Sequence, residues 1–288
     1  MPAVSGGGRA RGFTLAELLV ALVLGTLVLG AAGQVFIATA RFLRLQASAL
    51  EVREGLRAAQ QVLTAELREL DPADGDLVAL GPDSISLRAV RGIEFICAAP
   101  DAVTGRIAVR RRLSASYRDM DPARDRAVVF RDGDPSTDAD DAWIDLGIAS
   151  AGGAATCSDG GAATEVRLAG PVAELDSVGL GAPVRWYERA VYRLYGDETG
   201  LWWLGVRSWS GGSWAPLSPI AGPLRHPSGL EFRYFDASGA ATTDPARVVT
   251  IGLAVRGVGS ALLQGAGGRQ EHWSDSLITV VFPRNGRR

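Results

Sequence analysis

A long apolar run lies near the start of the chain. From Leu18 to Ala40 none of the 23 residues is charged, and no proline interrupts them. As an α-helix, this run would extend over about 35 Å, enough to cross a hydrocarbon core about 30 Å thick. Arg9 and Arg11 precede the run, so the positive-inside rule places the N-terminal side in the cytoplasm. The pattern predicts one membrane-spanning helix, with most of the chain outside the cytoplasm.

After Ala40 the pattern becomes amphipathic. Apolar or small residues recur at steps of three or four, which is the spacing of one helix face, at Leu45, Ala49, Val52, Leu56, Ala59, Leu63, Leu67 and Leu70. The residue before a proline avoids the α region, so Asp71-Pro72 predicts a stop. The sequence therefore predicts one helix from Phe13 to about Leu70. The alternative is an anchor followed by a separate juxtamembrane coiled coil.

Beyond residue 72 the chain is predicted to be rich in β-strands. Short runs of β-branched and aromatic residues alternate with turn residues, at Leu77–Leu80, Ser84–Arg88, Ile93–Cys97, Arg106–Leu113, Ala127–Arg131, Glu165–Leu168, Val184–Tyr195, Leu201–Trp209, Leu230–Phe235, Val248–Val255 and Leu277–Phe282. Val184–Tyr195 and Leu201–Trp209 flank a glycine-containing turn and predict a hairpin. Pro216–Leu224 is predicted to be a turn. The Gly/Ala-rich stretches Ala149–Ala163 and Ala261–Gly268 are predicted to be exposed loops.

Composition excludes several kinds of chemistry. All 30 basic residues are arginine, so a P-loop lysine and a Schiff-base lysine are both impossible. The two cysteines and two histidines do not have zinc-site spacing. No motif of a hydrolase or metalloprotease is present. We therefore predict a protein that is not an enzyme and needs no cofactor. The formal net charge of −2 does not favour a nucleic-acid partner.

Glu17 lies at the start of the apolar run. A carboxylate inside a membrane-spanning segment costs several kcal/mol if it lies deep, so it usually marks a function. The plainer alternative is a hydrated carboxylate without a partner. A secretory signal, cleaved near Gly30-Ala-Ala-Gly33, would explain the arginines and the apolar run. It would not explain Glu17, nor the helical pattern that continues past that cleavage site.

The string Arg11-Gly-Phe-Thr-Leu-Ala-Glu-Leu-Leu-Val20 resembles the prepilin leader of type IV pilins and type II secretion pseudopilins. The residues that match are Gly12, Phe13, Thr14, Leu15 and Glu17, whereas Ala16 stands where a larger aliphatic residue is common. The resemblance is strong from residue 9 to about residue 70 and only general beyond. The order of the later strands resembles the C-terminal half of larger minor pilins and of the J-type minor pseudopilin.

The resemblance implies a role for each matched residue. Gly12 would be the last leader residue, removed by a prepilin peptidase on the cytoplasmic face, and Phe13 would become the N-methylated terminus. Loss of Arg9 and Arg11 would leave 28 basic and 32 acidic residues, a net charge of −4. Glu17 would then lie one helical turn inside the new terminus. Its carboxylate could pair with the terminal amine of another subunit, which offsets the cost of burying the charge.

The resemblance also implies an α+β, pilin-like fold, in which a long N-terminal helix packs by its second half on an antiparallel β-rich domain. We divide the chain into a leader peptide (1–12), a transmembrane or filament-core helix (13–40), an amphipathic helix (41–71) and an extracytoplasmic β-rich domain (72–288). The implied protein is a single-pass inner-membrane protein that becomes a minor pilin or pseudopilin in a filament. Its partners would be the prepilin peptidase/methyltransferase, other pilins, the inner-membrane assembly platform and membrane lipid. The alternative is a membrane-anchored binding module without a filament role.

Three further groups of residues are candidate sites. Cys97 and Cys157 are predicted to lie in an oxidising compartment and are a candidate disulfide. The run Asp132, Asp134, Asp138, Asp140 and Asp141 is a weak calcium candidate. It lacks the terminal glutamate of an EF-hand, so a solvated acidic turn fits its spacing better. The short basic clusters 110–112 and 284–288 could touch phosphate, but a solvated strand edge and a frayed tail explain them equally well.

Overall fold

The computed structural model describes residues 14–110, 115–116, 118–134, 136–170, 172–264 and 270–284. The chain divides into two compact units, one formed by Met1–Leu50 with Ser260–Trp273 and the other by Glu51–Gly259 with Ser274–Arg288. Gly12 and Phe13 lie outside the described residues. The second unit contains the core of the β-rich domain and is called the β domain below.

Helix α1 runs without a break from Leu15 to Arg68. The single long helix predicted by the apolar periodicity is therefore confirmed. Within the β domain its apolar stripe is almost completely buried, with at most 1% of each residue exposed, at Val52, Leu56, Ala59, Leu63 and Leu67. This part of the helix packs on the sheet within the β domain, because burial of such a stripe stabilises an amphipathic helix.

Two glycines allow the backbones of helix and sheet to approach closely. A Cβ atom at Gly55 of α1 would lie 2.5 Å from the carbonyl oxygen of Gly222. A Cβ atom at Gly257 would lie 2.5 Å from Val52 Cγ1. Any larger residue would therefore require the helix or the strand to move.

The described chain forms fourteen strands, and the pairings among the first thirteen are antiparallel. The strands are β1 Leu77–Leu80, β2 Ser84–Phe95, β3 Arg106–Arg110, β4 Ala115–Ser116, β5 Asp125–Arg131, β6 Ala142–Thr156, β7 Ala162–Ala169, β8 Pro183–Gly196, β9 Trp202–Ser210, β10 Ser213–Trp214, β11 Ser218–Leu224, β12 Leu230–Phe235, β13 Thr250–Gln264 and β14 Gln270–Val281. The fold is thus α+β and pilin-like: a long apolar N-terminal helix followed by an antiparallel β-sheet domain.

Strand β8 lies at the centre of the sheet, whose main path runs β12-β13-β11-β9-β8-β5-β6-β7-β3. Along one edge β8 pairs with β2, from Ser84↔Arg193 to Phe95↔Pro183. Along its other edge it pairs first with β5 and then with β9. The β8–β9 pairing confirms the predicted hairpin. On one face of the β5–β8 region, a buried apolar cluster surrounds Trp186.

Three loop predictions are wrong. Most of Ala149–Ala163 belongs to β6 and β7, which pair with each other because a β-ladder needs backbone groups and not large side chains. The predicted turn Pro216–Leu224 contains β11, whose pairing with β9 is irregular next to its prolines, which cannot donate to the ladder. Strand β13 extends to Gln264, so the first part of Ala261–Gly268 is also strand, and residues 265–269 lie outside the described chain.

Candidate functional site

The start of α1 is held by a reciprocal pair of hydrogen bonds between Thr14 and Glu17. The Thr14 backbone N–H donates to Glu17 Oε2 at 2.9 Å, and the Thr14 hydroxyl donates to the same oxygen at 3.0 Å. In return, the Glu17 N–H donates to Thr14 Oγ1 at 3.3 Å. This is a capping box, in which the side chains at the N-cap and at the third helical position satisfy backbone groups that lack helical partners.

The capping box uses only one of the two carboxylate oxygens. Within the described residues, Glu17 Oε1 accepts no hydrogen bond, and the side chain is exposed at the end of the helix. A charged donor from outside the chain could therefore bind Oε1 without breaking the capping box. The prediction for Glu17 omitted Thr14 as its partner, although the Thr-x-x-Glu spacing of a capping box is visible in the sequence.

The first half of α1 exposes its apolar side chains on every side. An 18-residue window of the helix has a mean hydropathy of 2.3, and none of that window is buried. The exposed fraction is 65% at Leu22 and 75% at Phe36. By length and composition this segment can cross a membrane. Its apolar surface needs lipid or other apolar helices around it.

Farther along α1, an ion-pair network connects the helix to the sheet. Arg91 of β2 contacts Glu66 of α1 at 3.0 Å and Glu188 of β8 at 2.8 Å. Arg118 also contacts Glu188, at 3.1 Å, and forms a two-pronged pair with the fully buried side chain of Asp125. The network borders a cavity of about 320 Å³. No sequence motif indicates this network, because its members lie far apart in the chain.

The charges in this network shift the pKa values of its buried members. Burial by itself would lower the pKa of Arg91, but the negative charges of Glu66 and Glu188 outweigh it and raise that pKa. Burial, followed by the charge of Glu66, raises the pKa of Tyr192, whose hydroxyl donates to Glu66 at 2.9 Å. Both groups therefore keep their protons at neutral pH, and Arg91 remains a cation between two carboxylates.

A disulfide joins Cys97 and Cys157, 60 residues apart in sequence. Cys97 comes two residues after β2, and Cys157 directly follows β6. Around the bond, the Cys157 N–H donates to the Gly161 carbonyl and the Ser158 N–H donates to the Cys97 carbonyl. The bond therefore ties the end of β2 to the β6–β7 turn.

The acidic run lies in the connection between β5 and β6. The Asp134 carboxylate accepts from the backbone N–H and the hydroxyl of Ser136, and these bonds lower its pKa. Asp140 accepts from the Asp134 N–H at 2.8 Å. Asp132 and Asp141 flank the turn, and the Asp138 side chain lies outside the description. In the described part of the chain, no three His, Cys, Asp or Glu side chains form a group that could hold a metal ion.

The described members of the two basic clusters form ion pairs within the chain. Arg110 contacts Asp159 at 2.7 Å and lowers the pKa of that carboxyl. Arg284 contacts Glu69 at 3.2 Å. Arg111, Arg112, Arg287 and Arg288 lie outside the described residues. Arg110 and Arg284 are therefore neutralised locally.

One comparison with known proteins gives a match. The family model described as "Prokaryotic N-terminal methylation motif" matches residues 8–33, which include Gly12, Phe13, Thr14 and Glu17. No curated protein and no solved structure matches the chain. The motif supports a type IV pilin-like precursor that a prepilin peptidase processes and that assembles with other pilins. The apolar helix is consistent with single-pass membrane anchoring.

Proposed function

We propose that the protein is a minor pilin or pseudopilin, a structural subunit of a type IV pilus or a type II secretion pseudopilus. A prepilin peptidase removes residues 1–12 by cutting after Gly12, and Phe13 becomes the N-methylated terminus. Residues 13–40 first span the inner membrane and then enter the filament core. Residues 41–71 continue as the amphipathic helix, and residues 72–288 form the extracytoplasmic domain.

The observation that carries this proposal is the exposed apolar half of α1 with a carboxylate at its first turn. A plain membrane anchor accounts for the apolar surface, but it gives Glu17 no role. In a filament, neighbouring helices replace lipid around the same surface. The terminal amine of one subunit then pairs with Glu17 of another, through the carboxylate oxygen that the capping box leaves unused.

The size of the extracytoplasmic part supports the narrower proposal of a minor subunit at the filament tip. A tip subunit meets other subunits on fewer sides than a subunit in the shaft, so its domain can be larger without blocking the helical packing of the shaft. The sheet built around β8 extends over most of the residues between 77 and 281.

The test is the N-terminal residue of the mature protein, measured by intact mass and terminal peptide sequencing from the native host. We expect N-methylated Phe13. An intact Met1 or Pro2 would instead indicate an anchored binding module, and a terminus near Gly33 would indicate a secreted protein. Either of these two results would contradict the proposal.

Two variants test the separate roles of cleavage and assembly. A bulky residue at Gly12 should leave the precursor uncut, whereas Glu17→Ala should be cut, keep its folded β domain and fail to enter filaments. Normal incorporation of Glu17→Ala would overturn the role given to that carboxylate. Full processing of the Gly12 variant would overturn the leader assignment.

A further inference from the structure

One face of the central sheet carries three arginines and two tryptophans. They are Arg189 and Arg193 of β8, Arg207 and Trp209 of β9, and Trp214 of β10; together we call them the arginine–tryptophan surface. Side chains alternate between the two faces of a strand. Glu188 and Tyr192 of β8 point toward α1, where they contact Arg91 and Glu66. Arg189 and Arg193 therefore point away from the helix.

The two indole rings contact two of the three guanidinium groups, those of Arg189 and Arg207. Arg189 Cζ lies 5.2 Å from the centre of the Trp209 ring and 5.6 Å from that of Trp214. Arg207 Cζ lies 5.0 Å from the Trp214 ring, and the two indoles meet edge to face at 5.4 Å. Such cation–π contacts restrict the guanidinium groups of Arg189 and Arg207.

Among the described residues, the arginines of this surface have no anionic partner, unlike several other arginines of the sheet. No carboxylate in the described part of the chain lies within ion-pair distance of Arg189, Arg193 or Arg207. The Nε of Arg207 is buried and has no hydrogen-bond partner among the residues that the structure describes. By contrast, Arg91 and Arg126 do bind carboxylates. In a chain with more acidic than basic residues, an unpaired cluster of this kind is a local excess of positive charge.

The spacing of the arginines indicates the shape of the missing partner. Arg207 lies on β9 opposite Val191, which is midway between Arg189 and Arg193 on β8. Along the strand direction, the backbone positions of successive arginines are therefore about 6.6 Å apart, two residues at about 3.3 Å each, and Arg207 is displaced sideways by one strand spacing of about 4.8 Å. An extended peptide presents every second side chain on one face at the same repeat. Carboxylates at positions i, i+2 and i+4 would therefore repeat at the same spacing as the three arginine positions along the strand direction.

We propose that the arginine–tryptophan surface binds an extended acidic segment of a neighbouring filament subunit. This inference rests on the proposed function, because a filament brings such a neighbour next to the sheet. Carboxylates match the guanidinium groups in charge and can accept two hydrogen bonds from each. Tryptophan and arginine are also the residues that contribute most to binding free energy in protein interfaces.

A single-stranded nucleic acid would also supply anions at a similar spacing, but two observations favour the protein partner. The indole faces that would stack on bases already contact guanidinium groups. The excess of acidic residues in the whole chain would repel a long polyanion at a distance, whereas three carboxylates interact mainly at contact.

The test uses the full chain in detergent and three fluorescent probes, with anisotropy as the readout. The first is an octapeptide of alternating serine and glutamate, the second has the same residues in two blocks, and the third is an eight-nucleotide oligothymidylate. We expect the alternating peptide to bind at least tenfold more tightly than the other two. Arg189→Gln combined with Arg193→Gln should weaken that binding at least tenfold. Both side chains are exposed, so this variant should fold normally, which circular dichroism checks.

The matched control is Arg57→Gln, because Arg57 is an exposed arginine of α1 away from this surface, and binding should be unchanged. Equal peptide binding by the wild type and the double variant would overturn the proposal, as would no binding of the alternating peptide. Tighter binding of the oligothymidylate would replace it with a nucleic-acid surface. Peptide binding does not depend on cleavage after Gly12. Failure of the proposed function would be seen in terminal sequencing of the native protein, and failure of this inference would be seen in the peptide-binding measurement.

Discussion

Glu66 on α1 and Arg91 on β2 are joined through both carboxylate oxygens, each 3.0 Å from Arg91 Nη1. Only 16% of the Glu66 side chain and 14% of the Arg91 side chain are exposed. Arg91 is in turn bound to Glu188 of β8. One cation thus connects the helix, its adjacent strand and the central strand of the sheet, and the helix position depends on a charge buried between them.

Glu66→Ala should destabilise the β domain by about 3 kcal/mol, because removing one member of a buried ion pair leaves the other poorly compensated. The variant also leaves the Tyr192 hydroxyl without its acceptor. The free energy of unfolding can be measured by denaturant titration of the full chain in detergent, with tryptophan fluorescence as the signal. Glu54→Ala is the matched control, since Glu54 is exposed on the same helix and should change stability by less than about 0.5 kcal/mol. Equal effects of the two variants would contradict this role for Glu66.

Gly55→Ala should destabilise the β domain by about 1–3 kcal/mol, although alanine is the better helix former. The added methyl group would meet the Gly222 carbonyl oxygen at 2.5 Å, and that oxygen belongs to backbone that cannot rotate away. Gly25→Ala is the control, because nothing lies within 4 Å of a Cβ atom there. The same denaturant titration measures both variants. A higher free energy of unfolding in Gly55→Ala would contradict the prediction, because it would mean that the helix and the strand can move apart without loss of stability.

The parts of the fold that depend on local sequence were predictable, and those that depend on distant pairing were not. The stripe from Val52 to Leu67 repeats at helical spacing, so its buried face could be predicted directly. Strand β6 was missed because it follows an acidic run and ends in glycine and alanine, which carry little strand signal. The contacts of Arg91 with Glu66 and Glu188 join residues 25 and 97 positions away, and no local pattern indicates them.

Replacing both cysteines, Cys97→Ala with Cys157→Ala, should lower the free energy of unfolding by about 4 kcal/mol. Without the bond, the unfolded chain regains the entropy of a loop closed over 60 residues. Denaturant titration of the variant and of the oxidised wild type measures the difference. Wild-type protein treated with a reductant serves as the control and should lose a similar amount. If oxidised and reduced wild type unfold at the same denaturant concentration, the bond has no stabilising role.

Thr14→Val should reduce filament incorporation about fivefold while leaving cleavage after Gly12 intact. The substitution removes the hydroxyl that donates to Glu17 Oε2 and accepts from the Glu17 N–H. Loss of an N-cap side chain costs about 1 kcal/mol, which corresponds to about a fivefold change in an equilibrium. Glu17 would then have to be ordered during assembly and would bind the neighbouring amine less well. Thr14→Ser keeps the hydroxyl and should assemble normally.

The control for the loss of a threonine hydroxyl in the same apolar helix is Thr26→Val. The Thr26 hydroxyl donates to the Val23 carbonyl one turn earlier and has no contact with Glu17. Filament fractions recovered by shearing, compared with the cell-associated protein, measure incorporation of each variant. Thr26→Val should remain close to wild type, because its lost bond only supplements a carbonyl that already has a helical partner.

If Thr14→Val assembles normally while Glu17→Ala does not, the carboxylate acts without the capping box. Equal losses in Thr14→Val and Thr26→Val would instead indicate a general requirement for polar groups in the helix.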